Sequence, residues 1–111
     1  MGRIREMIDV NGRDSWTLFD TGARNTYIVP AVAAVLTVHK ARYPYRTALG
    51  GATRVARETA ILEAELKGYP ISTHAMVLDS IGRDEDGKDI EILFGALAMQ
   101  QWGVRPWPAE E

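Results

Sequence analysis

The sequence contains no cysteine, and aromatic residues make up only 8% of its 111 positions. The absence of cysteine excludes disulfide bonds, thiolate nucleophiles and cysteine-ligated metals. Long hydrophobic runs are also missing, because the longest, residues 28–38, is interrupted by Pro30 and Thr37 and is too short to cross a bilayer. We therefore expect a soluble protein with no membrane partner.

A strong excess of one charge is absent too. Thirteen lysine and arginine residues face 15 aspartate and glutamate residues, so the net charge is −2. Nucleic-acid-binding domains usually show a basic footprint, so we expect no nucleic-acid partner. The opening residues, MGRIREMIDV, lack the apolar segment of a secretory signal, which favours a cytoplasmic location. Length and an ordinary composition predict one domain, residues 1–111.

Turn signals divide much of the chain into extended segments. Asn11-Gly12 tolerates positive φ and predicts a turn, after which residues 15–19 form a strand. Residues 42–55 resemble two extended arms around Gly50-Gly51, and residues 90–95 form a late strand. Residues 80–89, just before the late strand, are mostly polar and are expected to form a solvated loop.

Residues 58–66 are ambiguous, because they are rich in good helix formers. Apolar residues nevertheless recur at every second position from Ala60 to Leu66, and Lys67-Gly68 then supplies a turn. We therefore predict that residues 53–66 are extended and pair with residues 45–48. Residues 69–79 follow as another strand.

Helical signals are few. Pro30 suits the first position of a short helix within residues 30–38, and residues 96–102 predict a second helix that Gly103 stops. The fold class is therefore mainly β with one or two short helices.

One stretch raises a question about function: WTLFDTGARNTYIVP, residues 16–30. An apolar run ends on the carboxylate of Asp20, and the small residues Gly22 and Ala23 follow. Asp20 either starts a turn through its side chain or belongs to an active site. By itself, Asp-Thr-Gly occurs by chance in about one chain in fifty of this length, so the tripeptide alone decides nothing.

The context is more specific. LFDTGARNTYI resembles the active-site motif of the retropepsin-like aspartic proteases. EILFGALAMQQWGV, with Leu93, Phe94 and Gly95, is similar to the late strand and helix of that family. TALGGATRV, between them, resembles its flap hairpin. The resemblance spans about residues 15–104 and implies a small closed β-barrel with a flap.

The resemblance also implies a chemistry, namely an aspartic endopeptidase that needs no cofactor. Two carboxylates that share one proton can activate water and protonate the leaving group. This chain supplies one such motif, so the pair requires a homodimer with Asp20 from each copy at the two-fold axis. The implied catalytic residues are Asp20, Thr21 and Gly22. The implied contacts to a peptide or protein substrate are Ala23, Arg24, Leu49, Gly50 and Gly51.

Two departures from the family pattern leave an alternative open. Many retroviral members brace the dimer with an acidic residue after Asp-Thr-Gly-Ala and an arginine after the late glycine, but Arg24 and Ala96 stand there. Pro106 and Pro108 would interrupt the C-terminal strand of the retroviral dimer. Trp102 and Trp107 are either interface anchors or core residues. The alternative is a weak or inactive module for dimerisation or peptide binding.

Other sites have less support. His39 and His74 stand alone with no ligand spacing, so we expect no metal site. Residues 83–89, RDEDGKD, are rich in acidic side chains, but their spacing does not match that of a calcium loop.

Overall fold

The computed structural model of the protein describes residues 3–49 and 51–104. This part of the chain is mainly β, with two short helices, as the sequence predicts. None of its helices is long and apolar enough to cross a membrane. In chain order the elements are β1 (Arg3–Val10), β2 (Arg13–Asp20), β3 (Thr26–Ile28), α1 (Pro30–Ala33), β4 (Val38–Leu49), β5 (Ala52–Leu66), β6 (Tyr69–Val77), β7 (Ile92–Phe94) and α2 (Ala96–Trp102).

The strands form one sheet that closes on itself. Their order is β1-β2-β7-β3-β6-β5-β4, and a further pairing between β1 and β5 joins Asp9 to Glu65. Six strands therefore make a closed barrel, while β4 pairs with β5 at the end of the order. The predicted small closed barrel is confirmed.

Two-residue turns set the register of two hairpins. Asn11 and Gly12 have φ values of 53° and 88°, and Lys67 and Gly68 have values of 51° and 84°. Positive φ at both central positions is the type I′ geometry, whose twist matches that of the flanking strands. Both predicted turns are therefore confirmed.

The ambiguous segment is a strand. All of Ala52–Leu66 is extended, and its buried residues alternate with exposed ones from Ala56 onward, apart from an irregularity at residues 57–59. Residues 45–48 pair with residues 53–56, so the predicted pairing is confirmed. Tertiary pairing on both sides of β5 thus overrides its helix propensity.

Two elements differ from expectation. β1 was not predicted, because its apolar residues do not alternate regularly. The polar Glu6 lies on the same face as the buried Ile8 and Val10, and the apolar Met7 points outward. The helix expected within residues 30–38 covers only Pro30–Ala33, since Val38 already pairs with Ala60 in the sheet.

Buried side chains form two groups on opposite faces of the sheet, because neighbouring strand residues such as Leu18 and Phe19 belong to different groups. The larger contains Phe19 and Phe94, whose rings lie 5.1 Å apart, together with Ile8, Leu62 and Ile92. The smaller group, called here the cleft cluster, comprises Leu18, Tyr27, Ala56, Leu78, Ile90 and Leu93, with Ala23, Leu49, Met76 and Ile81 packed against it.

The loop between β6 and β7 is anchored, so the predicted solvated loop is only partly correct. The Asp84 side chain is 3% exposed and accepts hydrogen bonds from the Trp16 indole and from the backbone N–H groups of Asp86 and Lys88. The Lys88 N–H, followed by the Trp16 and Asp86 donors and the charge of Arg5, lowers the pKa of Asp84 despite its burial. The loop is thereby held against β2.

We expect Asp84→Ala to lower the thermal unfolding temperature at neutral pH, because the Trp16 indole and two backbone donors lose their acceptor. The folded-state pKa of Asp84 lies below its unfolded value, so its stabilising effect is present above the unfolded pKa and disappears as the pH falls through the folded one. The deficit should therefore shrink on acidification. Glu85→Ala, an exposed neighbour with the same charge change, is the control. A deficit that is equal for both variants would contradict the anchoring role.

Candidate active site

Asp20 is the last residue of β2 and is only 7% exposed. Its Oδ1 accepts a hydrogen bond from the Gly22 N–H at 2.8 Å, and its backbone oxygen accepts one from the Ala23 N–H at 3.2 Å. The side-chain turn that the sequence suggested therefore exists. The turn orients the Asp20 carboxylate. A role in the turn and a role in an active site are therefore compatible.

The sheet order explains the small residues after Asp20. β7 lies between β2 and β3 and runs parallel to β2, with Phe19 opposite Phe94. The chain therefore has to pass around the end of β7, at Gly95, on its way from Asp20 to Thr26. This passage, residues 21–25, is called the crossing loop below.

Gly95 is needed for space. An added Cβ would lie 2.1 Å from the Asn25 backbone oxygen and 2.7 Å from the Arg24 oxygen. Its φ of −87° is one that any residue can adopt, so the requirement is steric and not conformational. The Gly95 N–H also donates to the buried Thr26 hydroxyl at 3.1 Å.

The start of α2 holds the crossing loop. The Ala96 N–H donates to the Ala23 oxygen at 2.6 Å, and the Leu97 N–H donates to the Arg24 oxygen at 3.2 Å. The first N–H groups of a helix have no partner inside it, so these loop carbonyls satisfy them. In many retroviral proteases an ion pair joins the positions that Arg24 and Ala96 occupy here. In this protein, main-chain hydrogen bonds join the crossing loop to the start of α2 instead.

The beginning of β7 is fixed as well. Glu91 accepts hydrogen bonds from the Arg13 guanidinium and from the Trp16 N–H, each at 2.7 Å. Burial alone would raise the pKa of Glu91, but the bonds from Arg13 and Trp16 outweigh it and lower the pKa. Both ends of β7 are therefore tied to β2 or to the loop that follows it.

Several predicted site residues lie in one region. Leu18 precedes Asp20 by two positions and belongs to the cleft cluster, against which both Ala23 and Leu49 pack. Thr21, Gly22 and Arg24 are exposed on the crossing loop.

Gly51 lies between β4 and β5. Gly51 is exposed with a φ of 82°, which fits a turn. Gly50 lies outside the described residues. The structure thus brings Ala23 and Leu49 to the same cluster, whereas Arg24 is exposed on the crossing loop.

Two contacts near this region were not predicted from the sequence. The Tyr27 hydroxyl bonds the Thr47 hydroxyl, which links β3 to β4. The Arg54 guanidinium donates to the Ser80 backbone oxygen at 2.7 Å, which links β5 to the loop after β6. No local pattern identifies either pair, because the partners are 20 and 26 residues apart.

Within the described residues, no group of three or more histidine, cysteine, aspartate or glutamate side chains is arranged to hold a metal ion. His39 and His74 lie on different strands, β4 and β6, and both are exposed.

Gly95→Ala should destabilise the fold by about 2 kcal/mol or more, because the new methyl group meets rigid backbone on the crossing loop. Gly68→Ala is the matched control, since its Cβ would meet nothing within 4 Å and only its φ of +84° is unfavourable. That strain costs about 1 kcal/mol. Chemical denaturation of both variants measures the difference, and an equal loss would show that Gly95 is not constrained by the crossing loop.

Comparison with known proteins agrees with this geometry. A family model described as aspartyl protease matches residues 7–97. The EIAV protease complexed with the inhibitor HBY-793 superposes with a TM-score of 0.60 at 21% identity, over 96% of this chain and 93% of that one. A foamy viral protease–reverse transcriptase in complex with an RNA/DNA hybrid gives a TM-score of 0.65 at 13% identity, over 97% of this chain but 13% of that protein. A search of curated proteins finds no match.

The two structural likenesses show a retroviral protease fold. The family match covers most of the chain and includes Asp20, the crossing loop and Gly95. The protein therefore belongs to the retropepsin-like aspartyl protease family.

Proposed function

We propose that the protein is an aspartic endopeptidase that works as a homodimer. The observation that carries this proposal is the position of Asp20: a buried carboxylate at a strand end, oriented by the Gly22 N–H and followed by a loop that Gly95 and α2 hold in place. A residue that served only to turn the chain would not need a buried charge there, because burying a charge is costly.

The chemistry requires a second carboxylate, which a second copy supplies. Across a two-fold axis, two Asp20 side chains meet at the same point, and like charges at that distance share one proton. The ionised carboxylate takes a proton from water, which attacks the peptide carbonyl. The protonated carboxylate donates its proton to the carbonyl oxygen, which gives a tetrahedral gem-diol. When the C–N bond breaks, the proton taken from water passes to the amide nitrogen, and a gem-diol hydroxyl returns one proton to the pair.

The substrate in this proposal is a peptide in extended form. It would lie between the crossing loops, which carry Ala23 and Arg24, and the hairpin that ends near Leu49 and Gly51. The partly buried residues Ala23, Leu49 and Ile81, which pack against the cleft cluster, would give such a peptide an apolar surface for its side chains. Closure of the hairpin over it would exclude water from the reaction.

A peptide-binding or dimerisation module without hydrolysis is the second candidate. The observation that favours it is the lack of the bracing ion pair at Arg24 and Ala96. The main-chain bonds from Ala96 and Leu97 to the crossing loop weigh against it, because they hold that loop without the pair.

We expect Asp20→Asn to reduce cleavage of fluorescein-labelled casein at acidic pH by about 10²-fold to 10⁴-fold or more, the usual contribution of general acid–base groups. The asparagine oxygen can still accept the Gly22 hydrogen bond, so the fold should remain and the stability of the dimer should stay level or rise. Asp14→Asn, an exposed aspartate on the same strand, is the control for charge.

Two results would contradict the proposal. Retained cleavage in Asp20→Asn would show that Asp20 is a turn residue only. Loss of cleavage together with loss of folded structure, by circular dichroism, would show that Asp20 acts through stability.

Activity should also depend on assembly. Because each copy contributes one Asp20, specific activity should rise with protein concentration and level off once sedimentation velocity shows a dimer. The pH profile should be bell-shaped and acidic, since the pair needs one shared proton. Full activity in a sample that sediments as a monomer would refute the shared pair.

A further inference from the structure

Two side-chain hydrogen bonds join the part of the β4–β5 hairpin near its turn to other elements. Its two strands near the turn, residues 45–49 and 52–56, are called the flap arms here. On one arm, the Thr47 hydroxyl bonds the hydroxyl of the buried Tyr27. On the other, the Arg54 guanidinium donates to the Ser80 backbone oxygen at 2.7 Å.

These contacts act at the same level of the hairpin. Thr47 and Arg54 are direct cross-strand partners, and side chains paired in this way lie on the same face of the sheet. That face also carries Leu49 and Ala56, which pack with the cleft cluster. Arg46 pairs with Val55 one position away, so it lies on the opposite face, and it is exposed.

The acceptor of the Arg54 bond is itself held in place. The Leu78 N–H donates to the Ile28 oxygen at 2.9 Å, just before Ser80. Ile81, directly after it, packs against the cleft cluster, and the Ile90 N–H closes the loop onto the Gly82 oxygen at 2.9 Å. A flexible acceptor could not fix the hairpin, but residues on both sides of Ser80 are bonded to or packed against the rest of the fold.

We infer that Arg54 is a positioning residue that fixes the flap arms over the cleft by its bond to the Ser80 backbone oxygen. The guanidinium reaches from the hairpin across to the loop after β6, and the Tyr27–Thr47 bond holds the opposite arm. The effect on catalysis rests on the proposed function, whereas the effect on the hairpin does not.

The acceptor of the Arg54 bond predicts which substitutions should matter. Arg54 Nη2 lies 2.7 Å from the Ser80 oxygen but 3.5 Å from its hydroxyl, so the backbone carbonyl is the main acceptor. Removing the hydroxyl should therefore matter little, while removing the guanidinium should free one arm. Lysine keeps the charge but lacks the planar set of donors, so it should restore only part of the effect.

Hydrogen–deuterium exchange of the full-length protein, without substrate, tests the contact directly. Arg54→Ala should accelerate amide exchange in peptides that cover the flap arms by about two- to tenfold, the net effect of one hydrogen bond. Exchange in β2, β3 and β7 should be unchanged. Arg54→Lys should give an intermediate rate, and Arg46→Ala and Ser80→Ala should match the parent.

Kinetics on fluorescein-labelled casein test the consequence. Arg54→Ala should raise KM by a similar two- to tenfold factor with kcat nearly unchanged. The reason is that the positioned arms would contact the substrate equally in the ground state and in the transition state, so their loss weakens binding without slowing the chemical step. Arg46→Ala controls for the loss of a positive charge on the hairpin.

The outcomes separate this inference from the proposed function. Unchanged exchange in the arms of Arg54→Ala would overturn it, even if the protein cleaves casein. Faster exchange throughout the barrel would also overturn it, because Arg54 would then act on global stability. Faster exchange in the arms with an unchanged KM would overturn the positioning role. If the parent does not cleave casein, the proposed endopeptidase fails, and exchange alone decides whether Arg54 fixes the arms.

Discussion

The passage of the crossing loop over Gly95 is the constraint on which the candidate site depends. Because β7 lies between β2 and β3, the chain that leaves Asp20 has to bend around the end of β7 before β3 begins. Only a residue without a Cβ leaves room there for the Asn25 backbone. Hydrogen bonds from the first N–H groups of α2 then fix the loop carbonyls, and the Asp20 carboxylate keeps one orientation as a consequence.

The same principle extends outward from the barrel. Polar contacts between distant parts of the chain hold the elements near the cleft, in addition to packing in the cleft cluster. Asp84 secures the loop after β6 against β2 through the Trp16 indole, and that loop presents the Ser80 oxygen to Arg54 on the hairpin. The position of the hairpin is therefore linked to the strand that carries Asp20.

Local patterns were sufficient for most strands and for two turns but not for the contacts between elements. The dipeptides Asn11-Gly12 and Lys67-Gly68 predicted turns because their backbone preferences are intrinsic to the residues. Alternation in β5 predicted a strand despite helical composition, because one face of that strand is buried. β1 was missed where Glu6 interrupts the apolar face. The motif around Asp20 indicated the site through family resemblance. The partners of Gly95, Asp84 and Arg54 are set by tertiary structure, so no sequence spacing could identify them.

The central claim is that two Asp20 carboxylates meet across a two-fold axis and act as one pair. A crystal structure of the protein with a peptide mimic that carries a central hydroxyl group tests it most directly. The account predicts a homodimer in which the two carboxylates lie about 3 Å apart and both bond the hydroxyl, whose oxygen stands in for the attacking water. A mimic bound to a monomer, or to a dimer in which the two Asp20 side chains are far apart, would contradict it.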